Sequence, residues 1–265
     1  MRILITNDDG IAAPGVHALI HAFRDEAELC LVCPDRERSG TAHSITVFDP
    51  IRVEETRIDG VTAAWVVGGT PVDCVKLAMA ALVKGKVDLV ISGINHGANL
   101  GTDVLYSGTV AGAAEGVILG VPAIAASYNS YRRDLDFTFP ALVVKRIVQV
   151  MSGLQPPSNT LLNINFPDLP ARSMKGLRVC SQGIRNYGNV FEERKDPRGN
   201  TYYWMGGGII EEENLPGSDV SAIQQGFVSI TPIRIDRTDY KLLKHYGRIL
   251  EKHHSAWDDL LPSDT

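Results

Sequence analysis

Two adjacent carboxylates, Asp8 and Asp9, directly follow the first predicted strand, whose apolar residues 3–5 indicate a buried position in a sheet. Ionised carboxylates side by side repel each other, so the pair is favoured where a cation lies between them or where both are solvated. Because Gly10 follows directly and releases the backbone into a turn, Asp-Asp-Gly is also an ordinary surface turn. The pair alone therefore leaves a metal site and a solvated turn open.

Two further loops after predicted strands carry oxygen ligands. Ser39 follows the strand at residues 29–33, and Asn95 and Asn99 follow the strand at residues 87–92. Because parallel strands end at one edge of an open sheet, we expect these loops to lie near the Asp pair. Two carboxylates, a hydroxyl and an amide oxygen form an all-oxygen set, which suits Mg²⁺, Mn²⁺ or Ca²⁺ and not zinc. The sequence therefore predicts a divalent metal site at this edge.

An anion site is predicted where Ser107, Gly108 and Thr109 begin a helix that runs to about Leu119. Small residues at a helix start leave the first backbone N–H groups accessible, and the positive end of the helix dipole favours a phosphate. The hydroxyls of Ser107 and Thr109 can add donors. Alternatively, Ser107 is only the N-cap and the small residues allow close helix packing.

Two histidines lie in the candidate site loops. His43 is a candidate general acid for a leaving alkoxide, although a loop histidine also commonly serves hydrogen bonding. We expect His96 to point away from the site, because it neighbours Asn95 in the chain. Glu115, about two turns into its helix, is interpreted as structural.

Strands and helices alternate through residues 1–165, which predicts an α/β fold with a doubly wound, mostly parallel sheet. Thr70 is expected to cap a helix that starts at Pro71 and runs to about Val83. Between the second strand and this helix lies a β-rich excursion, with short strands predicted at 45–48, 51–54 and 64–67. A further helix is predicted at 139–151, with one apolar face formed by Phe139, Leu142, Val143, Ile147 and Val150.

The pattern changes after residue 165. Strands are predicted at 176–182, 201–205 and 226–235, separated by polar loops, and a final helix at 239–252 has an apolar face. No new alternation of strand and helix follows. We interpret residues 166–265 as a β-rich extension of hairpins, whose edges often pair with another subunit.

Composition excludes several classes of protein. The 265 residues are 44% hydrophobic and 22% charged, with a net charge of −5, so no overall basic surface predicts binding to a nucleic-acid polymer or a membrane. No apolar run is long enough to span a bilayer. The start of the chain, an arginine and then acidic residues, is unlike a signal peptide, and we expect a cytoplasmic protein.

Of the four cysteines, Cys30 and Cys33 lie three apart in a predicted strand and should face opposite sides.

Together these residues form an ordered series of motifs. Over nearly its whole length the chain resembles the SurE (survival protein E) nucleotidases. The segments that carry the resemblance are residues 7–10, 34–40, 69–74, 92–101, 103–109, 196–200, 217–219 and 226–232. The match is weakest over residues 183–217.

The resemblance implies a metal-dependent phosphohydrolase that releases phosphate from nucleoside 5′- and 3′-monophosphates, with some members also trimming short polyphosphate. It implies one Mg²⁺ or Mn²⁺ ion per subunit and four metal ligands, Asp8, Asp9, Ser39 and Asn95. The implied phosphate-binding residues are Asn99, Ser107, Gly108 and Thr109. It also implies a Rossmann-like, three-layer catalytic core over residues 1–165. The C-terminal extension, residues 166–265 with the final helix, would pack on the core and be exchanged between subunits of a homodimer or homotetramer.

The mechanism expected from these residues is hydrolysis of a phosphate monoester, with an ion on the four ligands activating the attacking water. Asp8 and Asp9 are then catalytic as well as ligating; one accepts the proton of the water, or a carboxylate attacks directly. Two alternatives remain, a catalytically silent nucleotide- or phosphate-binding stress protein and a metal-dependent glycosyl- or nucleotidyl-transferase on the same sheet.

Overall fold

The computed structural model describes residues 1–132, 134–151, 159–188, 190–210 and 214–252. The strands are, in chain order, β1 (Arg2–Thr6), β2 (Glu28–Pro34), β3 (Val53–Thr56), β4 (Ala63–Val67), β5 (Leu89–His96), β6 (Ala123–Tyr128), β7 (Thr160–Phe166), β8 (Leu177–Val179), β9 (Asn186–Tyr187), β10 (Val190–Lys195), β11 (Thr201–Gly206), β12 (Ile209–Ile210) and β13 (Val228–Arg234). The α-helices are α1 (Pro14–Phe23), α2 (Pro71–Leu77), α3 (Gly108–Ile118), α4 (Thr138–Met151), α5 (Asp219–Gln224) and α6 (Tyr240–Lys252). Met1–Ile235 form one compact unit, and α6 belongs to a second unit that begins at Asp236.

Nine strands form the main sheet, in the order β3-β4-β2-β1-β5-β6-β7-β13-β8. The six strands from β4 to β7 run parallel to one another, whereas β3 and β13 pair antiparallel with β4 and β7. The chain order reverses between β1 and β5, and ligands of open α/β sheets bind at such switch points. The predicted α/β, doubly wound, mostly parallel fold is confirmed.

Both faces of the sheet are covered by helices. One apolar cluster joins Ile3 and Ile5 to α1 and α4, and the other joins Leu4 to α2 and α3. Because each face is buried, β1 is an uninterrupted apolar run and not an alternating one. Cys30 and Cys33 lie in different clusters, which confirms that they face opposite sides, and both are free thiols.

Local sequence signals explain where the helices begin. Pro14 occupies the first turn of α1, and Thr70 caps α2 in a capping box with Asp73, as predicted for the Thr70-Pro71 pair. After α2 the helix continues as a π-helical turn over Ala78–Leu82. Gly116 lets α3 lie close to β5, because a Cβ at this position would be 2.8 Å from Val90 Cγ2. Close packing of α3 on the sheet therefore requires a glycine at this position.

The strand predicted at residues 45–48 is wrong. The backbone N–H of Thr46 donates to Asp73 Oδ1 at 2.9 Å and its hydroxyl donates to Asp73 Oδ2 at 2.6 Å, so the segment bonds a side chain and not a neighbouring strand. Burial alone would raise the pKa of Asp73, but the hydrogen bonds from Thr46 and Thr70 outweigh it and lower the pKa. The strand predicted at 51–54 corresponds to β3, which begins and ends two residues later.

The apolar face predicted for the helix at 139–151 is also wrong. Of its members only Ile147 is buried; Phe139, Leu142 and Val150 are exposed. Helix α4 instead buries Ala141 and Val144, which pack with α1. The helix itself is confirmed within one residue.

The C-terminal part contains hairpins and also completes the main sheet. Strands β10 and β11 pair with each other, as do β9 and β12, while β13 and β8 extend the sheet beyond β7. Helix α5 was not predicted. The boundary expected after residue 165 stays a prediction. No helix within the described ranges is long and apolar enough to cross a membrane.

Candidate functional site

The carboxyl ends of β1, β5 and β6 bring the candidate residues together. Asp8 and Asp9 follow β1, while Asn95 is the last residue but one of β5 and pairs with Ser127 of β6. The loop after β2 reaches the same edge, because the backbone N–H of Arg38 donates to Asp8 O at 2.7 Å. The neighbouring parallel strands β2, β1 and β5 thus end at one edge of the sheet. The predicted loop position of Asn95 is wrong, because β5 continues to His96 and includes this residue.

Both members of the Asp pair are held by donors from other elements. The Thr109 hydroxyl donates to Asp8 Oδ1 at 2.5 Å, and the His96 backbone N–H donates to Asp9 Oδ2 at 3.1 Å. Burial raises the pKa of Asp8 to about 6 and that of Asp9 to about 6, while these hydrogen bonds lower both pKa values in part. Each carboxylate is further disfavoured by a neighbouring charge, Asp9 acting on Asp8 and Glu37 on Asp9. A cation between the carboxylates would relieve both costs.

The predicted oxygen set fits a divalent cation. Asn95 donates its Nδ2 to Gly97 O at 2.8 Å, which leaves Oδ1 without a protein donor among the described residues. Ser39 donates its hydroxyl to Glu37 Oε1 at 2.7 Å, so the lone pairs of Ser39 Oγ remain available. No group of three or more His, Cys, Asp or Glu side chains suited to a metal occurs in the described part of the chain. A site here depends on two carboxylates with neutral oxygens, the pattern in which Mg²⁺ keeps several waters.

The start of α3 lies directly against Asp8. A Cβ added at Gly108 would be 2.9 Å from Asp8 Oδ2 and 3.2 Å from Thr41 Oγ1, so only glycine leaves this space free. Ser107 Oγ caps the helix by accepting from Val110 N at 3.0 Å, and Thr109 directs its hydroxyl to Asp8. Thr109 therefore commits its hydroxyl hydrogen to Asp8, whereas Ser107 only accepts and keeps its hydroxyl hydrogen for another acceptor. The anion-binding capacity of this turn lies in the Ser107 hydroxyl, the Gly108 N–H and the helix dipole.

His43 and His96 have separate partners. The His43 Nε2 lies 2.9 Å from Glu115 Oε2, and Lys76 Nζ lies 2.9 Å from the other oxygen of this buried carboxylate. Glu115 thus links the loop after β2 to α2 and α3, in keeping with its structural interpretation. The ring of His96 bonds the Arg132 carbonyl oxygen at 2.5 Å and so points away from the Asp pair. The general-acid role of His43 stays a prediction.

Buried amides surround Asn99. Its side-chain Nδ2 donates to Ser127 Oγ at 2.7 Å, and its backbone exchanges hydrogen bonds with the fully buried Asn165. Asn163 donates to the same backbone oxygen at 2.8 Å. Sequence reasoning treated residues 160–165 only as a strand and missed this role. The available signal was the spacing of the two asparagines. They lie two residues apart, and so on the same face of an apolar strand, although asparagine is depleted in strands.

The C-terminal part is bonded to the loop between Asn99 and α3. The buried Asp219 accepts from Gly101 N at 3.0 Å and from Gly183 N at 2.8 Å. Arg185 Nη1 lies 2.9 Å from Asp103 Oδ2, and both side chains are largely buried. These bonds fix the loop whose two ends carry the candidate phosphate-binding residues.

Comparison with known proteins shows the family. Residues 3–189 match the family model described as Survival protein SurE. The chain belongs to the SurE family. Its curated SurE relatives include the 5′-nucleotidase SurE of Syntrophomonas wolfei, 58% identical over 248 residues and 94% of each chain. That of Heliobacterium modesticaldum is 50% identical over 247 residues, which cover 92% of this chain and 90% of the relative.

A solved structure gives the same assignment. The crystal structure of the SurE protein from Aquifex aeolicus is similar with a TM-score of 0.81 and 38% sequence identity. The match covers 94% of this chain and 99% of the Aquifex chain. The SurE resemblance inferred from the motifs is therefore confirmed.

Proposed function

We propose that this chain is a metal-dependent phosphomonoester hydrolase, a 5′-nucleotidase that also acts on 3′-nucleotides and releases phosphate from nucleoside monophosphates. The observation that supports it most is the placement of two adjacent carboxylates at one sheet edge, the half-buried Asp9 and the buried Asp8, with Asp8 lying against the first turn of α3. A cation-binding group and an anion-binding helix start side by side are suited to a phosphate ester. The names of the curated relatives point to the same activity.

Asp8, Asp9, Ser39 and Asn95 would hold one divalent ion per subunit, Mg²⁺ or Mn²⁺. When bound, such an ion supplies positive charge that offsets the charge of the phosphoryl group and makes the attacking water more acidic. Because Asp8 is buried and Asp9 is half-buried, their attraction to such an ion is screened less than it would be on the open surface.

The protein's own groups orient the substrate and move the proton. The Gly108 N–H and the dipole of α3 stabilise the equatorial phosphoryl oxygens, together with the side-chain amide of Asn99. One carboxylate of the Asp8–Asp9 pair accepts the proton of the attacking water. Thr109 donates its hydroxyl to Asp8 and so keeps the Asp8 carboxylate in place.

A substrate panel tests the proposed activity. We expect phosphate release from 5′-AMP and 3′-AMP, slower release from short polyphosphate, and the least from a sugar phosphate such as glucose 6-phosphate. Reactions with Mg²⁺ and with Mn²⁺, followed by colorimetric phosphate assay, measure the order of preference. Nucleotide binding without phosphate release from any substrate would contradict the proposal and support the silent binding protein. Transfer of phosphate-linked groups to an added alcohol or sugar, with none to water, would support a transferase.

We further propose that residues 166–265 are exchanged between subunits of a homodimer or homotetramer. The supporting observation is the β10–β11 hairpin, in which Phe191, Tyr203, Trp204 and Met205 are all exposed although aromatic or apolar. Exposed apolar side chains on a free two-stranded hairpin favour pairing with a second copy. Light scattering during size-exclusion chromatography should give twice or four times the chain mass. A monomeric mass at all concentrations would contradict it. The cytoplasmic location stays a prediction.

A further inference from the structure

We propose that Asn165, with Ser127, is a positioning residue that holds Asn99 in the geometry required to bind phosphate. The proposal rests on the proposed function, since it gives Asn99 a contact to the substrate phosphate. Neither Asn165 nor Ser127 belongs to the predicted ligand or phosphate-binding sets.

The Asn165 side chain forms a two-point contact with the backbone of Asn99. Asn165 Oδ1 accepts from Asn99 N at 2.8 Å, and Asn165 Nδ2 donates to Asn99 O at 3.0 Å. The pair fixes both the direction and the rotation of the Asn99 peptide groups, as a strand partner would. Asn165 is fully buried, so neither bond is exchanged with solvent.

Ser127 fixes the side chain of the same residue. Its hydroxyl accepts one hydrogen of Asn99 Nδ2 at 2.7 Å. The second Nδ2 hydrogen and Oδ1 have no protein partner among the described residues. The side chain is nevertheless nearly buried, since Asn99 is only 8% exposed. One amide N–H of a nearly buried side chain thus remains for an anionic oxygen. Donors held in advance contribute to catalysis because no reorganisation is needed as charge develops.

The chemistry of β7 argues that the arrangement serves a site. Asparagine is disfavoured in strands, and a buried amide that loses its partners destabilises the fold. Apolar residues at 163 and 165 would satisfy the demands of a buried strand more simply. Asn163 adds another donor to Asn99 O at 2.8 Å, so three side chains from β6 and β7 converge on one loop residue.

A double-mutant cycle tests the proposal. In Asn165→Leu we expect kcat/KM for 5′-AMP to fall about 10- to 100-fold, chiefly in kcat, because two hydrogen bonds that position Asn99 are lost. Asn99→Ala should show a fall of similar size. If Asn165 acts through Asn99, adding Asn165→Leu to Asn99→Ala should lower kcat/KM only a little further. On a logarithmic scale, this further fall should be less than half of the fall that Asn165→Leu causes in the unchanged chain.

The matched control is Thr231→Val. Thr231 lies opposite Asn163 on β13 and is 1% exposed, and its hydroxyl has no hydrogen-bond partner among the described residues. This variant removes a buried polar group from the same strand pair without touching Asn99, and its kcat/KM should stay within about twofold. If Asn165→Leu does not fold, Ser127→Ala replaces it in the cycle, because it removes only the side-chain anchor.

Three results would overturn the proposal. They are full additivity of the Asn165 and Asn99 changes, an unchanged kcat/KM in Asn165→Leu, and an equal loss in Thr231→Val. If the unchanged chain hydrolyses none of the substrates, the proposed function is wrong, but the positioning role can still be tested. The same double-mutant cycle is then measured by calorimetric binding of inorganic phosphate. Additive losses there, or no phosphate binding by the unchanged chain, would also overturn the positioning role.

Discussion

The Asp8→Asn variant is expected to release phosphate from 5′-AMP at least about 1,000-fold more slowly than the unchanged chain, because it removes one of two charges available to a divalent ion. The replacement is nearly isosteric, and its amide oxygen can still accept the hydrogen bond that Thr109 gives Asp8 at 2.5 Å. Packing is therefore retained while the charge is lost. Steady-state phosphate release with saturating Mn²⁺ measures the effect.

A second measurement separates a catalytic loss from unfolding. Burial raises the pKa of Asp8 from 3.8 to about 6, so the metal-free protein loses stability as the pH rises between these values, and the full cost is present above pH 6. At neutral pH and in the presence of chelator, Asp8→Asn should therefore melt no lower than the unchanged chain. The matched control is Asp88→Asn, since Asp88 precedes β5 at the opposite edge of the sheet and accepts from Arg2 N. We expect Asp88→Asn to keep its activity. Near-normal phosphate release by Asp8→Asn would exclude Asp8 as an essential ligand.

The Gly108→Ala variant should lose about 100-fold in kcat/KM, the usual cost of displacing a catalytic group by about 1 Å. An alanine Cβ would lie 2.9 Å from Asp8 Oδ2 and 3.0 Å from Asp8 Cβ, closer than such atoms approach. Either Asp8 or the first turn of α3 must move. The change therefore acts on the carboxylate and on the anion-binding helix start together.

Gly247→Ala is the matched control for Gly108→Ala. Gly247 lies within α6, and an added Cβ would have no neighbour within 4 Å in the described part of the chain. Alanine favours a helix over glycine by about 1 kcal/mol, so the control should be active and at least as stable. Full activity in Gly108→Ala would mean that the space between α3 and Asp8 is not required for the reaction.

Much of the core could be predicted because its signals are local. Thr70 and Pro71 mark the start of α2 through side-chain capping and a fixed backbone angle, which do not depend on distant parts of the chain. The 45–48 strand failed for the opposite reason. Its alternating residues fit a strand, but Asp73, 27 residues away from Thr46, supplies the hydrogen bonds instead.

Tertiary pairing explains the other differences. The antiparallel pairing of β13 with β7 joins segments about 70 residues apart, and no local pattern encodes which edge a late strand joins. For α4, two overlapping apolar stripes fit the helical period. Packing against α1 selects the one with Ala141 and Val144 and leaves Leu142 half-exposed.

The candidate site was predictable where residue type and strand end coincide. Asp8 and Asp9 follow β1, Asn95 lies near the end of the neighbouring parallel strand β5, and the topology alone brings them to one edge. The contact of Thr109 with Asp8 was not predictable, since it depends on how closely α3 packs on the sheet. Asn165 was missed because it lies inside a strand, where its partner, the backbone of Asn99, leaves no signal in the sequence.

The central claim, that phosphate release depends on a divalent ion held at the Asp8–Asp9 pair, is tested most directly by chelation and reconstitution of the unchanged chain. Phosphate release from 5′-AMP is measured before treatment with chelator, after removal of metal confirmed by elemental analysis, and after addition of Mg²⁺ or Mn²⁺. We predict that activity disappears with the metal and returns when one ion per chain is bound. Undiminished phosphate release by protein shown to be free of metal would contradict the account.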